Sequence, residues 1–199
     1  DSKVAELFEQ LGVNTQYKPE GVVLTPNNNN VDKFDFDFVD QPDLAQTFAV
    51  TCCLKNVQFH FKGVQSLKIK ETDRVAALIH ELAKAGYILH EPAEGELAWK
   101  GQRCDITAPI SIATYEDHRM AMAFAPIALL QPINIENPQV VSKSYPGFWN
   151  DVDSISKKTG VTVKTLLHYD KIGFLKPSEK TDSGYRIYCE EDLLKLQQI

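Results

Sequence analysis

SLKIKETDRVAALIHELAKAG, residues 66–86, gathers Lys68, Lys70, Glu71, Asp73 and Arg74 directly ahead of an apolar, helix-like run that stops at Gly86. The spacing predicts a helix over 72–85 with Leu78 and Leu82 on one face. Thr72-Asp73 suits a cap for its first turn, and Gly86 suits its end. An ordinary surface helix needs no such charged entrance. A site for an anion does, because the unpaired N–H groups of a first helical turn carry partial positive charge.

Outward from this stretch the pattern alternates helices and strands. Helices are predicted at 2–11, 43–54, 72–85 and 117–130, and strands at DFDFDF and VQFHF, with turns at KPEG and EPAEG. These elements recur at an offset of 74 residues. Gly12 matches Gly86, Glu20-Gly21 matches Glu94-Gly95, and Asp43 matches Asp117. Phe59 and Phe61 match Ile133 and Ile135, and Val4 and Phe8 match Leu78 and Leu82. The expectation is two copies of a βαββ-type unit in a mixed α/β fold.

Composition narrows the class. Hydrophobic residues make up 43% of 199, enough for a packed core, and no apolar run is long enough to span a bilayer. The absence of a leader-like segment points to the cytoplasm. Cys52, Cys53, Cys104 and Cys189 show no metal spacing and read as free thiols of a reducing compartment. The net charge is −6, carried by residues 1–150 with 13 Lys and Arg against 19 Asp and Glu; residues 151–199 hold 8 of each. Neither part is basic overall, which argues against non-specific nucleic-acid binding.

Polar clusters stand where helices are expected to begin: QPD ending in Asp43, KIKETDR, and YEDHRM with Asp117, His118 and Arg119; SKSYP with Lys143 follows a strand-like run. Each cluster taken singly has a plain reading as helix capping, and His118 as a hydrogen-bonded structural histidine. The mixture points further. Lys70, Arg74, Arg119 and Lys143 suit phosphate or carboxylate, and Asp43 and Glu71 beside them could move protons.

SLKIKETDRVAAL, TYEDHRMAMAFAPIAL, QPDLAQTFAVT and VVSKSYPGFW together resemble the C-terminal part of the EPSP synthase (3-phosphoshikimate 1-carboxyvinyltransferase) family over residues 1 to about 150. The resemblance implies part of an inside-out α/β barrel of βαβαββ units. It also implies transfer of an enolpyruvyl group from phosphoenolpyruvate to shikimate 3-phosphate, with no metal or organic cofactor. By it Asp43 is the acid beside the reacting hydroxyl, Glu71 handles the proton at the enolpyruvyl carbon, and Lys70 contacts shikimate 3-phosphate. Arg74, Arg119 and Lys143 hold phosphoenolpyruvate, with Asp117, His118 and Ser66 contributing to substrate contacts. The family's N-terminal domain and the start of its C-terminal domain have no counterpart here, so the chain alone is expected not to turn over and to associate through strand faces left bare.

Residues 151–199 read differently. Ser154–Thr159 is expected to form a short helix ended by Gly160, and Thr162 to cap a second helix over 163–171. The run around Asp182-Ser183-Gly184 reads as a two-stranded wing, and a further helix opens near Glu190. As spacing alone this is equally a solvated helix and hairpin. KTGVTVKTLLHYDKIGFLKPSE and GYRIY resemble the winged helix-turn-helix of MerR-family transcription regulators. That implies duplex DNA as partner, with Thr162, Lys164 and Thr165 facing the groove and His168, Tyr169, Arg186 and Tyr188 near phosphates. Two readings follow: an enolpyruvyl transferase fragment fused to a DNA-binding module, or a DNA-binding regulator module on a catalytically silent α/β body. The abrupt change near residue 150, with no linker-like composition, fits segments of separate origin.

Overall fold

A computed structural model describes residues 3–106, 109–159, 179–180 and 186–187. The order of elements is α1 (Val4–Gln10), β1 (Val13–Lys18), β2 (Gly21–Pro26), β3 (Lys33–Asp37), α2 (Ala45–Lys55) and β4 (Gln58–Lys62). Then follow α3 (Arg74–Lys84), β5 (Leu97–Trp99), β6 (Ile110–Ile112), α4 (His118–Phe124), β7 (Ile133–Ile135) and α5 (Phe148–Thr159). Short 3-10 turns at Pro42–Leu44, Gln65–Ile69, Ala125–Leu129 and Pro138–Lys143 join them.

The 74-residue repeat is present in the backbone hydrogen bonds. At the end of α1, Leu11 donates to the Phe8 carbonyl and Gly12 to Glu9; at the end of α3, Ala85 donates to Leu82 and Gly86 to Ala83. Gly12 and Gly86 both sit at positive φ, 96° and 92°. A hairpin follows in each copy. Asn27 N–H closes the first onto the Gly12 carbonyl, and Cys104 N–H closes the second onto Gly86. Then come two parallel strands joined through a helix. β3 and β4 pair Phe34 with Phe59 and Phe36 with Phe61 across α2. β6 and β7 pair Ile110 with Ile133 and Ile112 with Ile135 across α4. The copies are joined by β5, which pairs antiparallel with β4, Phe59 against Trp99 and Phe61 against Leu97.

Each copy therefore runs helix, hairpin, strand, helix, strand, fuller than the expected βαββ unit. The first hairpin escaped periodicity because β2 is exposed along its whole length and shows no apolar alternation. The helix expected over 117–130 is shorter. Pro126 has no N–H to offer the Met122 carbonyl, so the α-helix ends at Phe124 and the chain tightens into a 3-10 turn. α5 is longer than the expected Ser154–Thr159. Trp149 donates its indole N–H to the Pro138 carbonyl at 2.8 Å and the Tyr145 hydroxyl donates to Asp151 at 2.6 Å. With its start fixed in this way and no Gly or Pro within 148–159, the helix continues across the compositional boundary.

The core is aromatic. Phe34 stacks on Phe48 at 5.6 Å between centroids, and Phe38 meets Phe61 edge-on at 4.8 Å; each such pair contributes about 1 kcal/mol beyond area burial. α2 is buried on most of its circumference, through Ala45, Phe48, Ala49, Val50, Cys52 and Cys53, so it is an interior helix. Burial pushes the Cys52 thiol up to about 12 and Cys53 higher still, which keeps both thiols protonated. In the C-terminal part, β8 (Glu179–Lys180) and β9 (Arg186–Ile187) pair antiparallel at the place expected for the wing. Thr162, Lys164, Thr165, His168, Tyr169 and Tyr188 lie outside the described residues.

Gly63 fixes the entry to the charged segment. Its φ is +70°, and a Cβ there would lie 2.2 Å from an Asp37 carboxylate oxygen and 2.3 Å from the Val39 nitrogen. Gly63→Ala is expected to cost at least about 2 kcal/mol, because both the left-handed backbone and the backbone contact penalise it. Calorimetry should show Tm falling by roughly 4–8 °C.

Candidate functional site

Arg74 opens α3 directly after Asp73, whose carboxylate caps the helix by accepting from the Ala76 N–H at 3.0 Å. The Arg74 side chain points inward and is 1% exposed. Its guanidinium donates through Nε to Asp117 at 2.5 Å, through one terminal nitrogen to Asp43 at 2.8 Å and through the other to Glu71 at 2.6 Å. One cation thus joins three carboxylates from the start of α3, the turn before α2 and the cap of α4. Asp117 is fully buried. Its second oxygen accepts from the Arg119 N–H at 2.8 Å, so the residue caps α4 and pairs with Arg74 together.

Asp43 collects further cations. The Arg119 guanidinium lies 3.2 Å from one Asp43 oxygen, and Lys70 Nζ lies 3.8 Å from the other. Lys143 Nζ donates to the Glu116 carbonyl at 3.0 Å, in the loop leading to Asp117. Asp43, Lys70, Glu71, Arg74, Asp117 and Arg119 are therefore brought together, with Lys143 attached through the Glu116 backbone. His118 stands beside them and near enough to Glu71 for its charge to act there. Ser66 lies in the turn Gln65–Ile69 and joins none of these ion pairs. Arg186 lies in β9.

The Glu71 carboxyl is held below the usual carboxylate range. The main cause is a hydrogen bond from its own backbone N–H, followed by the charges of Arg74, His118 and Lys70; partial burial works in the opposite direction. In the resting protein it is an acceptor. Asp43 is about a third exposed, and with Arg119 and Lys70 it presents two cations and an acid at a partly open surface. Such a cluster can bind an anionic oxygen group and exchange a proton with it.

A second buried charge, Glu81, lies two turns beyond Arg74 on the same side of α3. Its carboxylate accepts from Lys84 Nζ at 2.7 Å, the Ala113 N–H at 3.0 Å and the Tyr115 hydroxyl at 2.8 Å. Burial and Glu81 push the Tyr115 phenol up to about 12. Tyr115 and Glu116 both adopt left-handed backbone, φ 54° and 56°, immediately before Asp117. α3 therefore grips both ends of the 113–117 segment, and the strained pair between those grips aims the site loop. The available signal for Glu81 is a charged side chain one position before the apolar Leu82. Among the described residues no group of three or more His, Cys, Asp or Glu could hold a metal ion, and no helix is long and apolar enough to cross a membrane.

Arg74→Met should leave a buried Asp117 without its partner and cost about 3–5 kcal/mol in urea denaturation. Arg119→Met, whose partner is partly exposed, should cost less than about 1 kcal/mol. The folded-state carboxyl of Glu71 titrates lower than the unfolded one. Its stabilisation is full above the unfolded value and disappears as pH falls through the folded value. The stabilities of wild type and Glu71→Gln should therefore converge as pH drops below about 4.

Comparison with known proteins meets this geometry. The family model for EPSP synthase (3-phosphoshikimate 1-carboxyvinyltransferase) matches residues 1–152, and that for the MerR family regulatory protein matches residues 154–188. A 3-phosphoshikimate 1-carboxyvinyltransferase of Bacteroides fragilis (strain YCH46) is 56% identical over 165 residues, 82% of this chain and 39% of the relative. One from Burkholderia ambifaria is 32% identical over 161 residues, 79% of this chain and 37% of the relative. One from Buchnera aphidicola subsp. Acyrthosiphon pisum (strain Tuc7) is 33% identical over 163 residues, 79% and 36%. The chain spans about two fifths of the length of these curated relatives. Through residues 1–152, the larger part of its length, the chain belongs to the EPSP synthase family.

Proposed function

We propose that residues 1–152 supply one wall of an enolpyruvyl transferase site, which joins the enolpyruvyl group of phosphoenolpyruvate to shikimate 3-phosphate and releases phosphate. The observation that carries this reading is the convergence of Asp43, Glu71 and Asp117 on Arg74, with Arg119 and Lys70 around Asp43. In this reading Asp43 takes the proton of the attacking hydroxyl as the new C–O bond forms. Glu71 delivers a proton to the vinyl carbon and takes one back as the C–O bond to the phosphate breaks; the hydroxyl proton held by Asp43 leaves with the phosphate, so the proton count closes over the two steps. Glu71 rests ionised, so it must gain its proton first. Anionic substrate beside Arg74 and Lys70 opposes their pull on the Glu71 carboxylate and raises its proton affinity.

Arg119, Lys70 and Lys143 keep donors for substrate oxygens in this scheme. Arg74 holds the acids in place, and a direct contact from it to phosphoenolpyruvate requires one of its carboxylates to move. Ser66, Asp117 and His118 complete the wall.

Residues 152–199 are proposed as a DNA-binding module. The MerR match and the antiparallel pairing of β8 and β9 support this. Lys164 and Thr165 would then face the major groove, with Arg186 and Tyr188 near phosphates. The alternative of a regulator on a silent body differs in one respect: its α/β part binds no substrate.

Titration of labelled protein with shikimate 3-phosphate and phosphoenolpyruvate should shift the signals of Lys70 and Arg119. Arg119→Met should weaken phosphoenolpyruvate binding roughly ten- to a hundredfold, the range for losing one charged hydrogen bond. Absence of any shift at millimolar ligand favours the silent body. Duplex DNA should bind with strong salt dependence, and Lys164→Glu should abolish binding.

A further inference from the structure

The internal repeat shows which strand edges of the α/β part have no strand neighbour among the described residues. In the second copy, β5 lies on β4, and its Leu97 and Trp99 are fully buried. In the first copy, β2 holds the matching place in its hairpin. Pairing of His90 with Ala98 corresponds to pairing of Gln16 with Val23, so Val22, Val23 and Leu24 match Leu97, Ala98 and Trp99. Yet Val22 is 55% and Leu24 64% exposed, with Tyr17 beside Val22 on the same face. β2 carries no charged side chain that would guard such an edge. At the other end, β7 corresponds to β4, and among the described residues its one strand neighbour is β6.

We infer that β2 of one copy of this chain adds antiparallel to β7 of a second copy, reproducing between molecules the β5-on-β4 pairing made within one. The register follows from the internal example: Leu24 against Ile133, Val23 against Asn134, Val22 against Ile135. Hydrogen-bond phase provides an independent check. Asn27 donates to Gly12, so alternation along the hairpin directs the Val22 and Leu24 amides away from β1. Glu136 donates to Ile112, so the Ile133 and Ile135 amides face away from β6. The outward groups are the very ones that the register sets opposite each other. Among the described residues the buried Asn134 side-chain oxygen has no hydrogen-bond partner, and it lies on this acceptor strand. Each copy carries one donor and one acceptor edge, so the contact is head-to-tail and builds rings or open chains.

Sedimentation velocity on the full chain should show mass growing with concentration. Leu24→Pro removes an outward donor without removing a β1–β2 bond, and Val22→Lys charges the same face; both should remain monomeric with unchanged circular dichroism. Hydrogen exchange should show the amides of Val22, Leu24, Ile133 and Ile135 gaining at least about tenfold protection as concentration rises. A wild type that stays monomeric overturns the inference. So does association that survives both substitutions, or protection confined to residues 154–188.

Discussion

A guanidinium withdrawn from water must be met by acceptors, and at Arg74 three carboxylates meet it. Desolvating the cation costs several kcal/mol, so its partners have to be held in place by the fold. Asp43, Glu71 and Asp117 come from three separate elements, and the single cation fixes their mutual positions. The start of α3, the turn before α2 and the cap of α4 cannot shift independently without leaving a charge unpaired. The site thus draws its rigidity from the same pairing that, after the Glu71 backbone N–H, helps hold the Glu71 carboxyl low.

Glu81 performs the matching task at the other end of the same segment. It satisfies the Ala113 N–H and the Tyr115 hydroxyl while staying paired with Lys84. Two left-handed residues between these anchors turn the chain so that Asp117 faces Arg74 and the Glu116 carbonyl faces Lys143. Backbone strain of this kind persists where the surroundings over-determine the loop. The same α3 face therefore stabilises the fold and orients the chemistry.

Much of this was legible in the residues. Gly12 and Gly86 marked equivalent helix ends because only a residue without Cβ turns easily at positive φ, and the 74-residue offset followed from them. Clustered charges at helix starts foretold which side chains meet, since cations and acids at those places need each other. The β1–β2 hairpin was not legible because its apolar residues lie unburied and carry no alternation to read. The length of α5 was hidden as well, since its start is set by contacts from Tyr145 and Trp149 to distant atoms. Composition changes near residue 150, within a helix that runs on to Thr159. Nothing in the sequence marks Glu81 as buried, because burial of a charge depends on partners far off in the chain.

That uninterrupted α5 bears on how the two family segments are joined. The matches end at 152 and begin at 154, inside one helix of 12 residues. A helix turns about 100° with each residue, since 3.6 residues complete a turn. The joint accordingly has a set angular phase along the described helix: dropping or adding one residue there would turn its Thr159 end by more than a quarter of a revolution relative to Phe148.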